Sequence, residues 1–252
     1  AEIRLHTRLI SATVEADRLV SVDLAGHAGV TTVEASGFVD ASGEATLSAA
    51  AGATLTQQGG PHAHLQPASF PIRIGGVEAD AKFDRALMTR IIRDYNATAE
   101  TPILREDGGV VVRLPMTGAY WWTAIDLATD GITGESLTRT EMAAREQAWT
   151  NIEVLRRHPG FEKAHLLSTG PQLGIRETRR PASRQDVTGE DVLTGRRSED
   201  AIARASWPME VHEAPGRARF VNVGGEGFFD IPSGAIEARD IANLRLAGRV
   251  IG

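Results

Sequence analysis

Three β-rich runs, Arg8 to Glu15, Arg18 to Ala25 and Val30 to Ala35, are separated by Ala16-Asp17 and by Gly26-His27-Ala28-Gly29. Connections this short imply hairpins, so the start of the chain is committed to an antiparallel meander. Residues 1 to 39 read as strand throughout, beginning with the alternation Glu2-Ile3-Arg4-Leu5-His6. The meander leads into Gly37-Phe38-Val39-Asp40-Ala41-Ser42-Gly43-Glu44 and then an Ala-rich helix, Ala45 to Ala51, which Gly52 can end. A strand that passes through small residues into a helix lets a ligand lie against the main chain, and the helix start favours negative charge. An ordinary strand-to-helix turn carries the same pattern.

Further along, Thr54 to Gln66 is rich in Gly, Gln, Pro and His, as in a loop or domain crossing, and Phe70 to Ile74 reads as a strand. Phe83, Leu87, Ile91 and Tyr95 predict a helix over Asp80 to Asn96. Strands are expected at Pro102 to Arg105, Val110 to Leu114 and Tyr120 to Asp126, the first two joined as a hairpin around Asp107-Gly108-Gly109. Thr138-Arg139-Thr140-Glu141 is a capping box for a long helix. Its buried stripe would be Met142, Trp149, Ile152 and Leu155, and His158-Pro159-Gly160 would stop it. A strand at Ala164 to Leu167, short helices from Thr188 and after Ser198, and strands at Met209 to His212, Phe228 to Pro232 and Leu244 onward complete the reading. The fold class is α/β with mixed α+β character. Residues 1–58 and 226–252 would form a β-rich base around a mixed sheet-and-helix lobe, 59–225.

Four charged side chains crowd the run Pro171-Gln172-Leu173-Gly174-Ile175-Arg176-Glu177-Thr178-Arg179-Arg180. Read as a strand, it puts Leu173, Ile175, Glu177 and Arg179 on one face and Gly174, Arg176, Thr178 and Arg180 on the other. Buried guanidinium groups need a counter-charge, so the run ends either in a salt-bridge net or beside an anion. At 252 residues and 42% hydrophobic the chain can bury one large core or two modest ones. A net charge of −6 argues against general nucleic-acid binding. The absence of cysteine excludes thiolate chemistry and Cys-based metal sites, and permits a cytoplasmic location. No apolar run reaches membrane-spanning length, and no metal site is expected.

The arginine run is followed by Glu190-Asp191-Val192-Leu193-Thr194-Gly195-Arg196-Arg197, by Glu210-Val211-His212, and by Phe229-Asp230-Ile231-Pro232 before Asn243-Leu244-Arg245-Leu246-Ala247-Gly248-Arg249. In that order they resemble the C-terminal half of the FAD-dependent oxidoreductases of the glutathione-reductase-like flavoprotein superfamily. Asp40-Ala41-Ser42-Gly43-Glu44 is similar to a second FAD-contact motif of that superfamily. The resemblance implies that 1–58 and 226–252 are parts of an FAD-binding domain and that 59–225 is a substrate lobe. It also implies a fragment, because no Gly-x-Gly-x-x-Gly turn is present and the segment expected after Gly252 is missing. FAD would then be held weakly. Asp40, Ala41, Ser42 and Gly43 would approach FAD near its adenosine and phosphate side, and Gly248 and Arg249 near the pyrophosphate or ribityl chain. Many relatives carry an acidic residue where this chain has Arg249.

Arg176, Glu177 and Arg180 would lie where flavin meets substrate. A fixed cation there favours flavin reduction, and the same arginines could clamp a substrate carboxylate. A proton acceptor for a small-molecule substrate would come from His212, His62 or His64, and each of these also reads as a surface or hydrogen-bonded structural histidine. The competing reading is a non-catalytic domain that holds an anion or is purely structural.

Overall fold

The computed structural model describes residues 2–57, 65–214 and 216–252. The chain divides into two compact units, one of Ala1–Gln58, Thr178–Met209 and Phe220–Gly252, the other of Gly59–Glu177 and Glu210–Arg219. The span 59–225, read from sequence as one lobe, is thus shared. Residues 178–209 join the two chain ends because Arg180–Pro181 pairs with Leu55–Gln57 and Ala201–Ala205 pairs with Phe229–Pro232.

In the first unit Arg8–Glu15, Arg18–Gly26 and Gly29–Glu34 form the antiparallel meander, with Val22 opposite Ala12 on one side and Val33 on the other. Its inner residues, Leu19 and Val22, share a core with Leu47, Leu244, Leu246 and Val250. Phe38–Asp40 pairs in parallel with Leu244–Leu246, bringing the chain's two ends side by side. Asn243 secures the junction. Its Oδ1 accepts from Leu19 N at 2.9 Å, and its Nδ2 donates to Leu19 O at 2.8 Å and Ser36 O at 3.1 Å.

Two expectations fail in this unit. Glu2 to His6 forms no strand: Ile3 and Leu5 are exposed and His6 sits at φ 53°. Alternation cannot hold a strand that has no neighbour to take its backbone hydrogen bonds. The segment after Ser198 is the strand Ala201–Ala205 rather than a helix, since its backbone is paired with Phe229–Pro232.

The second unit is built on a four-stranded antiparallel sheet in the order His165–Thr169, Ile72–Gly75, Tyr120–Thr123, Val110–Arg113. Helices Arg85–Asn96 and Gly134–Leu155 supply Met88, Ile91, Ile152 and Leu155 to a core that includes Phe70, Ile72, Trp122 and Phe161. Phe83 meets the rings of Tyr120, Trp122 and Phe161 at centroid distances of 4.9, 5.6 and 5.2 Å. Asp84 accepts from Leu87 N and starts the first helix, so Asp80 to Phe83 lie ahead of it. The long helix begins at Gly134 with Thr133 as its cap, which leaves Thr138 inside it. Its inward face is Thr140, Ala144, Ala148, Ile152 and Leu155, while Met142 and Trp149 point outward. Small residues at four-residue spacing let a helix axis approach a core closely, and this spacing outweighs the hydrophobicity of the two larger side chains.

Pro102 to Arg105 is not a strand, because the Asn96 side chain takes both backbone groups of Ile103 at 2.9 Å. The hairpin is formed instead by Val110–Arg113 and Tyr120–Thr123. The arginine run is not a strand either. It makes one bridge, Gly174 to Ser69, and then pairs at Arg180–Pro181. Among the described residues, no helix is long and apolar enough to cross a membrane.

Candidate functional site

In the first unit the parallel strands Phe38–Asp40 and Leu244–Leu246 end together, Asp40 beside Leu246. Ligands of α/β folds characteristically lie beyond such carboxyl ends. Asp40 is buried and fully occupied. Its Oδ1 accepts from Ser42 N at 3.1 Å and Ser42 Oγ at 2.7 Å; its Oδ2 accepts from Ser48 N at 2.8 Å and Ser48 Oγ at 2.7 Å. Burial pushes this carboxyl up, but the hydrogen bonds from Ser48 and then Ser42 outweigh it and hold the pKa below its ordinary value. Ser42 Oγ in turn accepts from Thr46 N at 2.8 Å, the first residue of the helix Thr46–Ala50. Asp40 therefore shapes the loop and offers no free oxygen to a ligand.

What faces outward is a set of glycines and arginines. Gly43 adopts φ +82°, and a β-carbon there would overlap the Arg249 guanidinium. Arg249 Nη2 is paired with Glu44 Oε1 at 2.7 Å, and Arg179 Nε donates to Glu44 O at 2.9 Å. Gly248 takes φ +72° with open space where its β-carbon would be, directly after Ala247 N donates to Asp40 O at 2.9 Å. Two guanidinium groups thus meet at the Gly43-Glu44 turn.

The second unit contains a buried ion network. Asp126, fully buried, faces Arg176 Nη1 through Oδ1 at 3.1 Å and Arg105 Nη1 through Oδ2 at 3.0 Å. Arg105 continues through Nε to Asp107 Oδ1 at 3.0 Å, and Asp107 also pairs with Arg85. Burial raises the Asp107 carboxyl, but the Gly109 amide and the Arg105 and Arg85 charges prevail and lower it. Arg176 Nη1 donates as well to Pro67 O. The neighbouring residue is equally committed: Gln66 N donates to Glu177 Oε2 at 2.9 Å, and Gln66 Oε1 accepts from His212 N at 3.3 Å. His212 is buried, its Nε2 lies 3.0 Å from Glu210 Oε1, and its Nδ1 has no hydrogen-bond partner among the described residues.

Of the three residues expected to act together, Arg176 and His212 are both fastened to the dipeptide Gln66-Pro67, whereas Arg180 belongs to the other unit, in the pair with Leu55–Gln57. Asp40, Ala41, Ser42, Gly43, Gly248 and Arg249 are brought together at the strand ends. His62 and His64 lie outside the described residues. Glu44, Arg179, Asp126, Arg105 and Gln66 were not singled out from sequence. Arg179 lay within the arginine run and Glu44 within the small-residue motif, but nothing local marked Asp126 as the buried counter-ion of Arg105 and Arg176.

A family model described as FAD dependent oxidoreductase matches residues 1–252. The chain belongs to that family. No curated protein matches it. Among solved structures the chain is similar to p-nitrophenol 4-monooxygenase PnpA from Pseudomonas putida DLL-E4, at 13% identity and TM-score 0.36, covering 71% of this chain and 38% of that one. It is also similar to BexE, described in connection with oxidation during BE-7585A biosynthesis, at 16% identity and TM-score 0.39, covering 71% and 30%. A third is CabE, an aromatic hydroxylase from angucycline biosynthesis, at 14% identity and TM-score 0.36, covering 71% and 31%. This FAD dependent oxidoreductase chain therefore matches between 30% and 38% of the length of those structures.

Proposed function

We propose that the chain is part of a longer flavoenzyme that passes hydride between a small organic substrate and FAD. The supporting observation, in a member of this family, is the meeting of the Asp40–Glu44 loop with the Gly248-Arg249 turn at adjoining parallel-strand ends. The residues present fit a phosphate-bearing cofactor: Gly43 and Gly248 carry no side chain, and Arg249 and Arg179 supply positive charge. FAD when bound supplies the two-electron chemistry that these side chains lack. In this reading Arg249 takes a cofactor phosphate in place of Glu44, while Asp40 and Ser42 keep the loop in shape. Arg176 contributes a permanent positive charge in the substrate unit, and His212, held by Glu210, accepts a proton at Nδ1. Arg180 is the remaining cation of the proposed set. The protein is taken to be cytoplasmic, with a small molecule as partner rather than nucleic acid or membrane, in keeping with its net charge of −6.

One observation favours a second reading. Arg249 already has a protein counter-ion in Glu44 and covers Gly43. A domain that holds an anion, or is purely structural, would use the same contacts. Titration of FAD into the 252-residue chain, followed by visible absorption and flavin fluorescence, separates the two, with the same titration repeated on the protein carrying its native flanking sequence. Flavin uptake by either form, weakened by Arg249→Gln, is the expected result. Absence of uptake by both at excess FAD rejects the flavoenzyme reading.

A further inference from the structure

The helix Gly134–Leu155 turns its small residues inward and leaves a stripe of large ones outside. Met142 and Trp149, two turns apart, are 61% and 57% exposed. At about 100° per residue, Glu135, Arg139, Glu153 and the cap residue Arg156 fall within about 60° of Met142 on the same face. All four are exposed. The stripe thus reads as an opposite-charge pair at each end with two apolar side chains between. Exposed apolar residues scattered singly call for no explanation, whereas two aligned on one face inside a reversible charge pattern do. Trp, Met and Arg are also the side chains enriched where proteins meet.

An antiparallel copy of the same helix complements this pattern. With a two-fold axis passing between Arg145 and Glu146, Met142 lies level with Trp149 of the second copy, and Trp149 with Met142 of the second copy. Glu135 lies level with Arg156 of the second copy, and Arg139 within one residue, about 1.5 Å of axial rise, of its Glu153. Both charged pairs are of opposite sign, and the symmetry makes each of them twice. A parallel pairing would instead set Glu135 on Glu135 and Arg156 on Arg156, so the charges select the antiparallel orientation. Within one copy Glu135 and Arg139 are joined at 2.8 Å, but their side chains are 81% and 69% exposed, so exchanging that contact for one between copies costs little. Arg145 is withdrawn from the axis, its guanidinium 5.0 Å from the Phe70 ring centroid and its charge paired with Glu141. Glu146, on the edge of the stripe, is left facing its own copy.

We propose that this face joins two copies of the chain in an antiparallel, two-fold symmetric dimer. Trp149 of each copy sits against Met142 of the other, flanked by the Glu135–Arg156 and Arg139–Glu153 pairs. The helix is 22 residues, about 33 Å, long, and one helix from each copy makes a small interface, so the dimer is of the weak, concentration-dependent class. The contact lies wholly within the second unit and needs no cofactor. It stands or falls independently of the flavoenzyme reading.

Sedimentation velocity of the 252-residue chain over about a hundredfold range of concentration tests it. A monomer–dimer equilibrium that reverses on dilution is expected. Trp149→Ala should weaken it about tenfold or more. Arg139→Glu and Glu153→Arg should each weaken it about threefold or more, and the two together should restore it to near the unaltered value. All three positions are exposed, and far-UV circular dichroism verifies that the variants are folded. Monomers at every concentration overturn the proposal and leave the face to a different partner. Dimerisation undiminished in Trp149→Ala, or a double reversal no tighter than either single, overturns it as well, because the contact then lies elsewhere or in another register. If Trp149→Ala does not fold, the charge-reversal set decides.

Discussion

Asp40 and Asp126 are both buried carboxylates, one in each unit, and they are partnered in opposite ways. Asp40 takes four hydrogen bonds from Ser42 and Ser48, all within eight residues of itself. Asp126 faces two guanidinium groups, from Arg105 and from Arg176, the latter 50 residues away in the chain. Around Asp40 the donors are small, neutral and rigidly attached to the backbone, so the result is a fixed loop. Around Asp126 they are long, charged and themselves in need of partners, so the result is an extended ion network. A carboxylate closed by its own neighbours builds a scaffold, whereas one that faces distant arginines ties separate segments of the chain together.

The sharpest way to break the contrast is Asp126→Ala. Removing the shared counter-ion leaves Arg105 and Arg176 partly uncompensated, and the second unit should lose about 3–5 kcal/mol, measured by urea unfolding followed by residue-resolved amide exchange. Asp40→Ala should cost less, about 2–3 kcal/mol, since it orphans neutral donors of Ser48 and Ser42 rather than buried cations. Equal losses in the two variants would mean that charge is not what separates the sites.

Gly43→Ala comes next. The new β-carbon meets the movable end of Arg249, so the main cost is the left-handed backbone, about 1–2 kcal/mol. Loss of the Arg249–Glu44 pair should accompany it. Glu44→Gln, by contrast, removes one half-exposed ion pair and should change stability by about 0.5 kcal/mol or less. It should leave Asp40 and the loop undisturbed.

Acid sharpens the comparison further. The folded pKa of Asp40 lies below its ordinary value of 3.8, so its contribution is present above 3.8 and is lost as pH falls through the lowered folded value. Asp107 in the second unit has the same sign. Asp40→Asn should therefore flatten the acid limb of the first unit's unfolding curve, leaving the second unit's limb unchanged. Amide exchange resolved by residue checks this. A parallel loss in both units would show that the acid response is not local.

Much of the local architecture was legible in the chain. The meander followed from connections too short for anything but hairpins, and the Thr188 helix start appears with its capping box, Asp191 answering Thr188. The arrangement of Asp40, Ser42 and Gly43 was legible as a small-residue turn, although not that Asp40 would spend its carboxylate on Ser42 and Ser48. Errors came where a competing partner replaced the expected one. Asn96 took the backbone of Ile103 and cancelled a strand, and the Thr133 cap moved the start of the long helix ahead of the expected box. The outward placement of Met142 and Trp149 had the same origin, in packing that favoured Ala144 and Ala148.

What the residues determined by themselves is short-range: hairpins, caps, glycine turns, and the presence of more arginine around 176–180 than a surface needs. These depend on backbone geometry and on contacts within a few residues, which the order of side chains specifies directly. Which carboxylate each arginine meets was decided by tertiary structure. Asp126 and Gln66-Pro67 lie 50 and about 110 residues from Arg176, and only folding brings such groups within hydrogen-bonding distance. An ionic contact falls off with distance in space and is indifferent to distance along the chain, so its partners cannot be read from sequence order.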